Sequence, residues 1–162
     1  MFAKRKEVIL LVFGKGGHNA QITRFIDNDN INQLPLIALT SADNIHKKID
    51  EKYFCLEARD KFSQLKNLFI FCAYVVVAIA QMFRIITKYK VIGMISTGPG
   101  LAVIPGIMCR IMRAKVIYFE SWSRIEKPSL AGRFMYWISN QFYVQHQSMK
   151  AKYPQAKYVG RL

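Results

Sequence analysis

Acidic residues are almost absent from the carboxyl-terminal part of the chain. Residues 64–162 hold only two Asp or Glu against fourteen Lys or Arg, whereas residues 1–63 hold eight against ten. The net charge of +14 is therefore concentrated in the second part. Such a bias indicates an anionic partner, either nucleic acid or an anionic membrane surface. A basic face that is merely solvated is the alternative.

Cysteines are few, and several site signatures are missing. Cys55, Cys72 and Cys109 lie far apart in apolar surroundings, which excludes a C-x-x-C pair and indicates buried thiols in a reducing compartment. There is no Walker-type G-K-[ST], no nucleophile elbow, no zinc spacing and no strict G-x-G-x-x-G. Thr40 and Ser41 stand where a ribose-binding acid would follow the second strand. We expect no metal and no complete dinucleotide site.

No segment meets the requirements for a signal peptide or a membrane span. Lys4–Lys6 precede the apolar run Val8–Phe13, but this run is short and leads into a glycine turn without a cleavage site. Leu68–Ala80 carries no charge, yet Gln81 and Arg84 interrupt it before it reaches the roughly 20 residues of a spanning helix. We predict a cytoplasmic protein without a transmembrane helix.

A glycine-rich turn, Gly14-Lys15-Gly16-Gly17-His18, directly follows the first apolar run. Asn19–Ile26 then shows helical spacing, which predicts a strand, a turn and a helix start. Glycine lets the backbone approach a ligand, and free N–H groups at a helix start favour a phosphate or diphosphate. The alternative is a turn that only closes the connection. His18 either faces the ligand or packs beneath the turn.

Further apolar runs alternate with helical segments. Strands are predicted at Val8–Phe13, Leu34–Thr40, Tyr53–Leu56, Val91–Ser96, Lys115–Glu120 and Gln141–Val144, with a short edge at Tyr158 and Val159. Helices are predicted at Asn19–Ile26, Gln64–Tyr89, Leu101–Met112 and Pro128–Ser139, and a loop or short helix at Ser41–Glu51. Buried strands separated by helices predict an α/β fold, a Rossmann-like parallel sheet covered on both faces. We expect a single domain over residues 1–162.

Three polar loops follow the first, fourth and fifth predicted strands. In a parallel sheet such loops meet at the carboxyl edge, where open α/β sheets bind ligands. Diphosphate binding is assigned to Gly14, Gly16, Gly17, Thr97, Gly98, Gly100, Ser121 and Arg124. His18 and Glu120 are the two candidate bases for deprotonating a hydroxyl, and Glu120 paired with Arg124 in a structural ion pair is the alternative. Trp122 is expected to pack or to anchor at an interface, and His146 is a candidate for the rim.

The helix predicted at about residues 64–89 is apolar around almost its whole circumference. Its polar positions, Asn67, Tyr74, Gln81 and Lys88, recur every seven residues on one narrow stripe. This pattern fits a helix that packs on the sheet with one side and contacts lipid or another subunit with the other, and an ordinary core helix is the alternative. Membrane contact is assigned to Leu68, Phe69, Phe71, Val75, Phe83 and Arg84.

Taken together and in order, these motifs resemble the oligosaccharide-biosynthesis family of asparagine-linked glycosylation protein 14, whose bacterial members serve capsule and exopolysaccharide synthesis. The resemblance covers nearly the whole chain and rests on five motifs: Gly14-x-Gly-Gly-His18, Ser96-Thr-Gly-Pro-Gly100, Glu120-Ser-Trp-Ser-Arg124, Tyr143-Val-Gln145 and Tyr158-Val-Gly-Arg-Leu162. The chain departs from the family at Thr97, where Asn is usual, and at His146, where Trp is common. Both departures concern the fine contacts to the acceptor.

The resemblance implies the amino-terminal, acceptor-binding half of a GT-B glycosyltransferase. The donor-binding half would be a separate Rossmann-like polypeptide that holds the UDP-sugar, so this chain would bind no cofactor and be inactive alone. The implied acceptor is a polyprenyl-diphosphate-linked sugar at the cytoplasmic face of the cell membrane. Eukaryotic members begin with a transmembrane anchor, so peripheral or monotopic attachment here is expected from the Leu68–Ile86 helix and the basic surface.

The resulting expectation is a membrane-associated subunit of a two-chain inverting glycosyltransferase for polysaccharide synthesis. The alternative is a non-catalytic membrane scaffold that recruits and activates the catalytic subunit. Nucleic-acid binding is not expected, because the sequence shows neither a recognition helix nor a strand face with interleaved aromatic and basic residues.

Overall fold

A computed structural model describes residues 5–28, 34–57 and 64–162, without the side chains of residues 64–68. The strands are β1 (Lys6–Phe13), β2 (Leu36–Thr40), β3 (Ile49–Phe54), β4 (Tyr89–Ser96), β5 (Lys115–Phe119), β6 (Gln141–Val144) and β7 (Lys157–Tyr158). The helices are α1 (Gly17–Asn28), α2 (Gln64–Lys88), α3 (Val103–Ile111) and α4 (Leu130–Ile138), with short 3-10 helices at Gly100–Ala102 and Gln147–Ala151.

All seven strands pair in parallel within one sheet, in the order β3-β2-β1-β4-β5-β6-β7. From β1 the chain first builds the sheet in one direction, through β2 and β3, and then crosses back to β4 and builds in the other direction. The order therefore reverses between β1 and β4. Ligands of open α/β sheets bind in the crevice at such a switch point, outside the carboxyl ends of the strands.

The third strand begins earlier than the sequence predicts. Residues 41–48 form the expected loop, but Ile49, Asp50 and Glu51 already belong to β3, so the predicted loop is wrong for these three residues. The reason is that β3 is an edge strand, and polar side chains such as Asp50 reach solvent there. Asp50 also accepts a hydrogen bond from the Leu36 N–H at 2.9 Å.

The two faces of the sheet are covered differently. One face packs against α2, α3 and α4 in a core that includes Tyr74, Cys109 and Met135. The other face packs against α1, through Ile22 and Ile26. Each such large apolar side chain contributes about 1.5–3 kcal/mol when fully buried. Both faces are thus covered, as the runs of buried strand residues predict.

Helix α2 is the longest element that the structure describes, with 25 residues, and most of them are apolar. Within the described residues, one helical segment, Phe69–Lys88, is long and apolar enough by length and composition to cross a membrane. The uncharged run ends before Gln81, which is why the sequence predicts no spanning helix, whereas the helix continues for two further turns. Tyr74 and Met82, on the side that meets the sheet, are nevertheless completely buried.

The three cysteines differ in exposure. Cys55 and Cys109 are buried as predicted, and burial raises the pKa of their thiols to about 11 and about 12, so both stay protonated. Cys72 is exposed, and the prediction of a buried thiol is wrong there. Its position falls on the outward side of α2, between Phe69 and Val76 along one helical stripe.

Candidate active site at the carboxyl edge of the sheet

Two hydrogen bonds between His18 and Thr97 join the loops that follow β1 and β4. His18 Nδ1 lies 2.5 Å from the carbonyl oxygen of Thr97, and Thr97 Oγ1 donates to the carbonyl oxygen of His18 at 2.9 Å. Because a carbonyl oxygen only accepts, Nδ1 carries the proton and donates it. These bonds place the imidazole at the switch point of the sheet.

Burial favours the neutral form of the His18 ring. Burial lowers the pKa of His18 below its ordinary value of 6.5, more than the Thr97 bond and the nearby Glu57 and Glu120 carboxyls raise it. With the proton on Nδ1, the lone pair of a neutral ring is on Nε2. This is the protonation state that a general base requires.

Two glycines in these turns have backbone conformations that other residues rarely adopt. Gly16 has φ +63° and Gly98 has φ +96°, a left-handed conformation that side chains disfavour. A Cβ at Gly98 would also lie 3.0 Å from the Ser121 nitrogen, and one at Gly17 would lie 3.3 Å from Nε1 of Trp122. The loops after β1, β4 and β5 therefore approach one another closely. Both interpretations of the glycine turn, ligand cradle and closed connection, require this geometry.

The remaining residues of these turns lie around the same edge. A Cβ at Gly14 would lie 3.5 Å from the Pro99 Cβ, so this glycine faces the second turn. Gly100 is exposed and begins the first 3-10 helix. Lys15 points outward and forms an ion pair with Asp43 at 3.1 Å.

Glu120 is almost completely buried and satisfied by hydrogen bonds. Its carboxyl group accepts bonds from the Ser121 N–H at 3.0 Å, the Ser129 hydroxyl at 2.8 Å and the Tyr153 hydroxyl at 3.2 Å. Ser129 caps α4, with its oxygen accepting from the Gly132 N–H at 2.8 Å. A Cβ at Gly132 would come within 1.9 Å of Glu120 Oε2. The carboxyl group thus fixes the loop after β5 against the amino end of α4, where the helix dipole favours negative charge.

Arg124 and Ser121 complete the predicted set in this loop. Arg124 is exposed, and no ion pair between Arg124 and Glu120 occurs in the described part of the chain. The predicted alternative of a structural ion pair is therefore not what the structure contains. Ser121 is buried, with its hydroxyl 3.1 Å from that of Ser123.

Two buried glutamines, Gln21 and Gln145, form a pair that was not predicted as part of the site. Gln145 Nε2 donates to Gln21 Oε1 at 2.6 Å and to the Glu120 carbonyl oxygen at 2.9 Å. Gln21 Nε2 donates in turn to the Gly17 carbonyl oxygen at 3.2 Å. The pair ties the first turn of α1 to the ends of β5 and β6. A polar residue next to Ile22, on the apolar side of a predicted helix, is the signal that would have found it.

Trp122 packs on the α1 side of the sheet. Two guanidinium groups lie over its ring, that of Arg24 at 5.1 Å and that of Arg161 at 4.7 Å from the centroid. His146 Nε2 lies 2.6 Å from the Trp122 carbonyl oxygen, so His146 borders the same loop. A packing role is one of the two roles predicted for Trp122.

A further carboxylate, Glu57, approaches the site after β3 and was also missed. Its Oε1 accepts a hydrogen bond from Ser41 Oγ at 3.2 Å and would lie 3.9 Å from a Cβ at Gly14. Glu57 directly follows the predicted strand Tyr53–Leu56, and its place at the carboxyl end of a parallel strand is the signal that could have found it.

The residues predicted to contact a membrane lie on α2. Phe69, Phe71, Phe83 and Arg84 are exposed, and Val75 is half-buried against the core. The side chain of Leu68 lies outside the described part of the structure.

Comparison with known proteins identifies the family. The family described as "Oligosaccharide biosynthesis protein Alg14 like" matches residues 9–162. The chain belongs to this family. Two similar relatives of this Alg14-like chain are both named UDP-N-acetylglucosamine transferase subunit ALG14. The protein from Rattus norvegicus is 24% identical, over 95% of this chain and 82% of the relative. The protein from Saccharomyces cerevisiae is 25% identical, over 99% of this chain and 78% of the relative.

Solved structures share the fold of this Alg14-like chain. MurG of Acinetobacter baumannii matches with a TM-score of 0.60 at 12% identity, over 97% of this chain and 44% of that protein. A UDP-N-acetylglucosamine 2-epimerase matches with a TM-score of 0.56 at 9% identity, over 91% and 44%. The chain spans less than half the length of either protein. The predicted fold class, a Rossmann-like parallel sheet resembling one half of a GT-B enzyme, is confirmed.

Proposed function

We propose that this chain is the membrane-associated, acceptor-binding subunit of a two-chain inverting glycosyltransferase. Its substrates would be a UDP-sugar and a polyprenyl-diphosphate-linked sugar in polysaccharide synthesis. Membership of an oligosaccharide-biosynthesis family, with relatives named as transferase subunits, supports the general class of activity. The observation that carries the more specific proposal is the His18–Thr97 pair, which holds a neutral imidazole between two glycine turns.

The first glycine turn would bind the acceptor diphosphate. Because α1 begins at Gly17, the N–H groups of its first turn have no partners within the helix, and they carry partial positive charge. Arg124, exposed and not paired with Glu120, would add a planar donor fork that suits phosphate. Thr97 already donates its hydroxyl proton to the His18 carbonyl oxygen, so we assign Thr97 to positioning the imidazole.

His18 would act as the general base. Its Nε2 would take the proton of the acceptor hydroxyl while that oxygen forms a bond to the anomeric carbon of the donor sugar. The bond from this carbon to the UDP oxygen breaks, and UDP leaves with the electron pair. Holding the acceptor hydroxyl in line with the donor sugar would also lower the entropic part of the activation barrier, because the two reactants would then react as one bound unit. Glu120 has its carboxyl oxygens occupied by donors, so in this proposal it positions the loop after β5.

The donor site would lie on a second Rossmann-like chain. Relatives that match nearly the whole of this chain are named transferase subunits, which supports a division of the enzyme between two polypeptides. The partner would bind the UDP-sugar and stabilise the leaving diphosphate. Alone, this chain would then be inactive, and the pair would work at the cytoplasmic face of the membrane, where UDP-sugars are made.

Reconstitution tests this proposal. The chain is produced with and without a candidate donor-binding partner, mixed with membrane lipids and supplied with labelled UDP-N-acetylglucosamine, and label in the lipid extract is counted. We expect transfer only with both chains, and a loss of about two to four orders of magnitude in kcat for His18→Gln. The matched control is His46→Gln, because His46 lies 3.1 Å from Asp27 at the other end of α1.

Two results would contradict the proposal. Undiminished transfer by this chain alone would exclude a shared active site. Full activity of His18→Gln in the pair would favour the non-catalytic scaffold, in which the chain only recruits its partner to the membrane.

A further inference from the structure

Three helices side by side expose large apolar residues away from the sheet. Helix α3 contacts both α2 and α4, and all three pack on the same face of the sheet. Their exposed apolar side chains are Phe69, Phe71, Val76, Ile79 and Phe83 on α2, Ile107, Ile111 and the adjacent Met112 on α3, and Leu130, Phe134 and Trp137 on α4. We call this set the outer face. A monomer rarely leaves so many large apolar side chains together in water without a binding partner.

The pattern along α2 separates a buried stripe from an exposed one. Tyr74, Ala78 and Met82 recur at four-residue spacing and are completely buried against the sheet. Phe69, Val76 and Phe83 recur at seven-residue spacing and are 79%, 68% and 55% exposed. Positions 74 and 76 differ by about 200° around a helix with 3.6 residues per turn. Helix α2 therefore has apolar side chains on two opposite sides, and the sheet covers only one of them.

Helix α4 repeats this arrangement at the other end of the outer face. Leu130, Phe134 and Trp137 follow one another at helical spacing and are 72%, 54% and 85% exposed. Met135, between them in sequence, is completely buried. Tryptophan at a membrane surface sits at the headgroup level, where its ring is apolar and its N–H is solvated.

The charged residues of these three helices have a single sign. None of the three helices contains an Asp or Glu. Arg84 follows Phe83, Arg110 precedes Ile111 and Arg133 precedes Phe134, and each of these arginines is exposed. Within the part of the chain that the structure describes, none of the three forms an ion pair. Apolar side chains flanked by unpaired cations match the interfacial region of an anionic lipid leaflet.

We propose that the whole outer face, and not α2 alone, lies in the headgroup region of an anionic membrane, with α2 parallel to the surface. This inference deepens the membrane association in the proposed function, on which it rests, by naming the surface. A spanning orientation of α2 would withdraw Tyr74 and Met82 from the core.

Because helices that follow parallel strands start at the carboxyl edge, the outer face begins beside the candidate site, at Phe69 and Leu130. A lipid-linked diphosphate at headgroup depth would be within reach of the glycine turns.

Vesicle flotation tests the surface without a partner chain or a donor. The full chain is mixed with vesicles of phosphatidylcholine alone or of phosphatidylcholine with phosphatidylglycerol, and we expect binding mainly to the anionic vesicles. Trp137→Ser combined with Ile111→Ser should lower the partition coefficient about tenfold or more, because two exposed apolar anchors are lost. Arg133→Gln should lower it about fivefold. The matched control is Phe54→Ser, which removes an aromatic residue that is 50% exposed on β3.

Tryptophan fluorescence gives a second readout that does not depend on the folding of the serine variants. The chain has two tryptophans. Trp122→Phe leaves Trp137 as the reporter, and its emission should shift to the blue on anionic vesicles and be quenched by brominated lipids. Trp137→Phe leaves Trp122, on the opposite side of the sheet, whose emission should stay unquenched.

Several outcomes would overturn the inference. Equal binding of the Trp137→Ser and Ile111→Ser double variant and the wild type would exclude α3 and α4 from the surface, as would an unshifted Trp137. Dimers in vesicle-free solution that dissociate in this variant would identify a second copy of the chain as the occupant. Vesicle binding that persists while sugar transfer fails would leave this inference standing and contradict only the catalytic part of the proposed function.

Discussion

His18 and Glu120 stand at the same edge of the sheet, but their surroundings differ. The imidazole of His18 has one nitrogen committed to the Thr97 carbonyl oxygen, and its other nitrogen has no protein partner in the described structure. The carboxyl group of Glu120 receives donors from Ser121, Ser129 and Tyr153 and is 1% exposed. A group that is to take a proton from a substrate needs a free lone pair that the substrate can reach. We therefore propose His18 as the base and a positioning role for Glu120.

The two residues also differ in what they connect. His18 joins the loops on either side of the switch point, whereas Glu120 joins the end of β5 to the first turn of α4. Removing the His18 side chain should lower the rate of sugar transfer with little effect on stability. Removing the Glu120 side chain should mainly lower the free energy of unfolding.

The largest effect on stability is expected for Glu120→Ala. The substitution leaves the donors of Ser121, Ser129 and Tyr153 buried without an acceptor, and each unsatisfied group costs about 1–3 kcal/mol. We expect the free energy of unfolding to fall by about 3 kcal/mol or more, measured by urea denaturation. The matched control is Glu126→Ala, an exposed glutamate of the same loop, which should change stability by less than about 0.5 kcal/mol. A Glu120→Ala protein as stable as the control would contradict the positioning role.

A smaller effect is expected for Gln21→Leu. Leucine has a similar volume but leaves one N–H of the buried Gln145 amide without an acceptor, while the other still donates to the Glu120 carbonyl oxygen, and this should cost about 1–3 kcal/mol. Because Gln21 ties the first turn of α1 to β5 and β6, kcat in the reconstituted pair should fall more than the affinity for donor. The exposed Gln147→Leu serves as control. Unchanged stability together with unchanged kcat would show that this pair of glutamines does not position His18.

The sequence predicts most of the architecture because the strands are continuous apolar runs and the turns are marked by glycine. It places His18, Thr97 and Glu120 at one edge, since their strands are parallel. It does not distinguish a free imidazole from a fully bonded carboxyl group, because the partners Ser129 and Tyr153 are distant in sequence. The sequence also predicts too late a start for β3. This strand lies at the edge of the sheet, where polar side chains reach solvent, so its first residues are not marked by an apolar run.

Composition alone also could not locate the basic charge. The excess of Lys and Arg after residue 63 indicates an anionic partner, but the sequence does not say which surface meets it. Only the packing of α2, α3 and α4 on one face shows that Arg84, Arg110 and Arg133 border exposed apolar side chains. We therefore extend the membrane contact predicted for α2 to its neighbours α3 and α4, which the periodicity of α2 could not reveal.

The most direct test of the account is the pH dependence of kcat/KM for the reconstituted pair, which reports the pKa of the essential base in the free enzyme. Burial lowers the pKa of His18 below 6.5, so the base stays neutral at pH 7 and is lost only as pH falls below that value. We predict an acidic limb below pH 6.5 that is absent in His18→Ala and retained in Glu120→Gln. An acidic limb that persists in His18→Ala, or that disappears in Glu120→Gln, would contradict the assignment of His18 as the base.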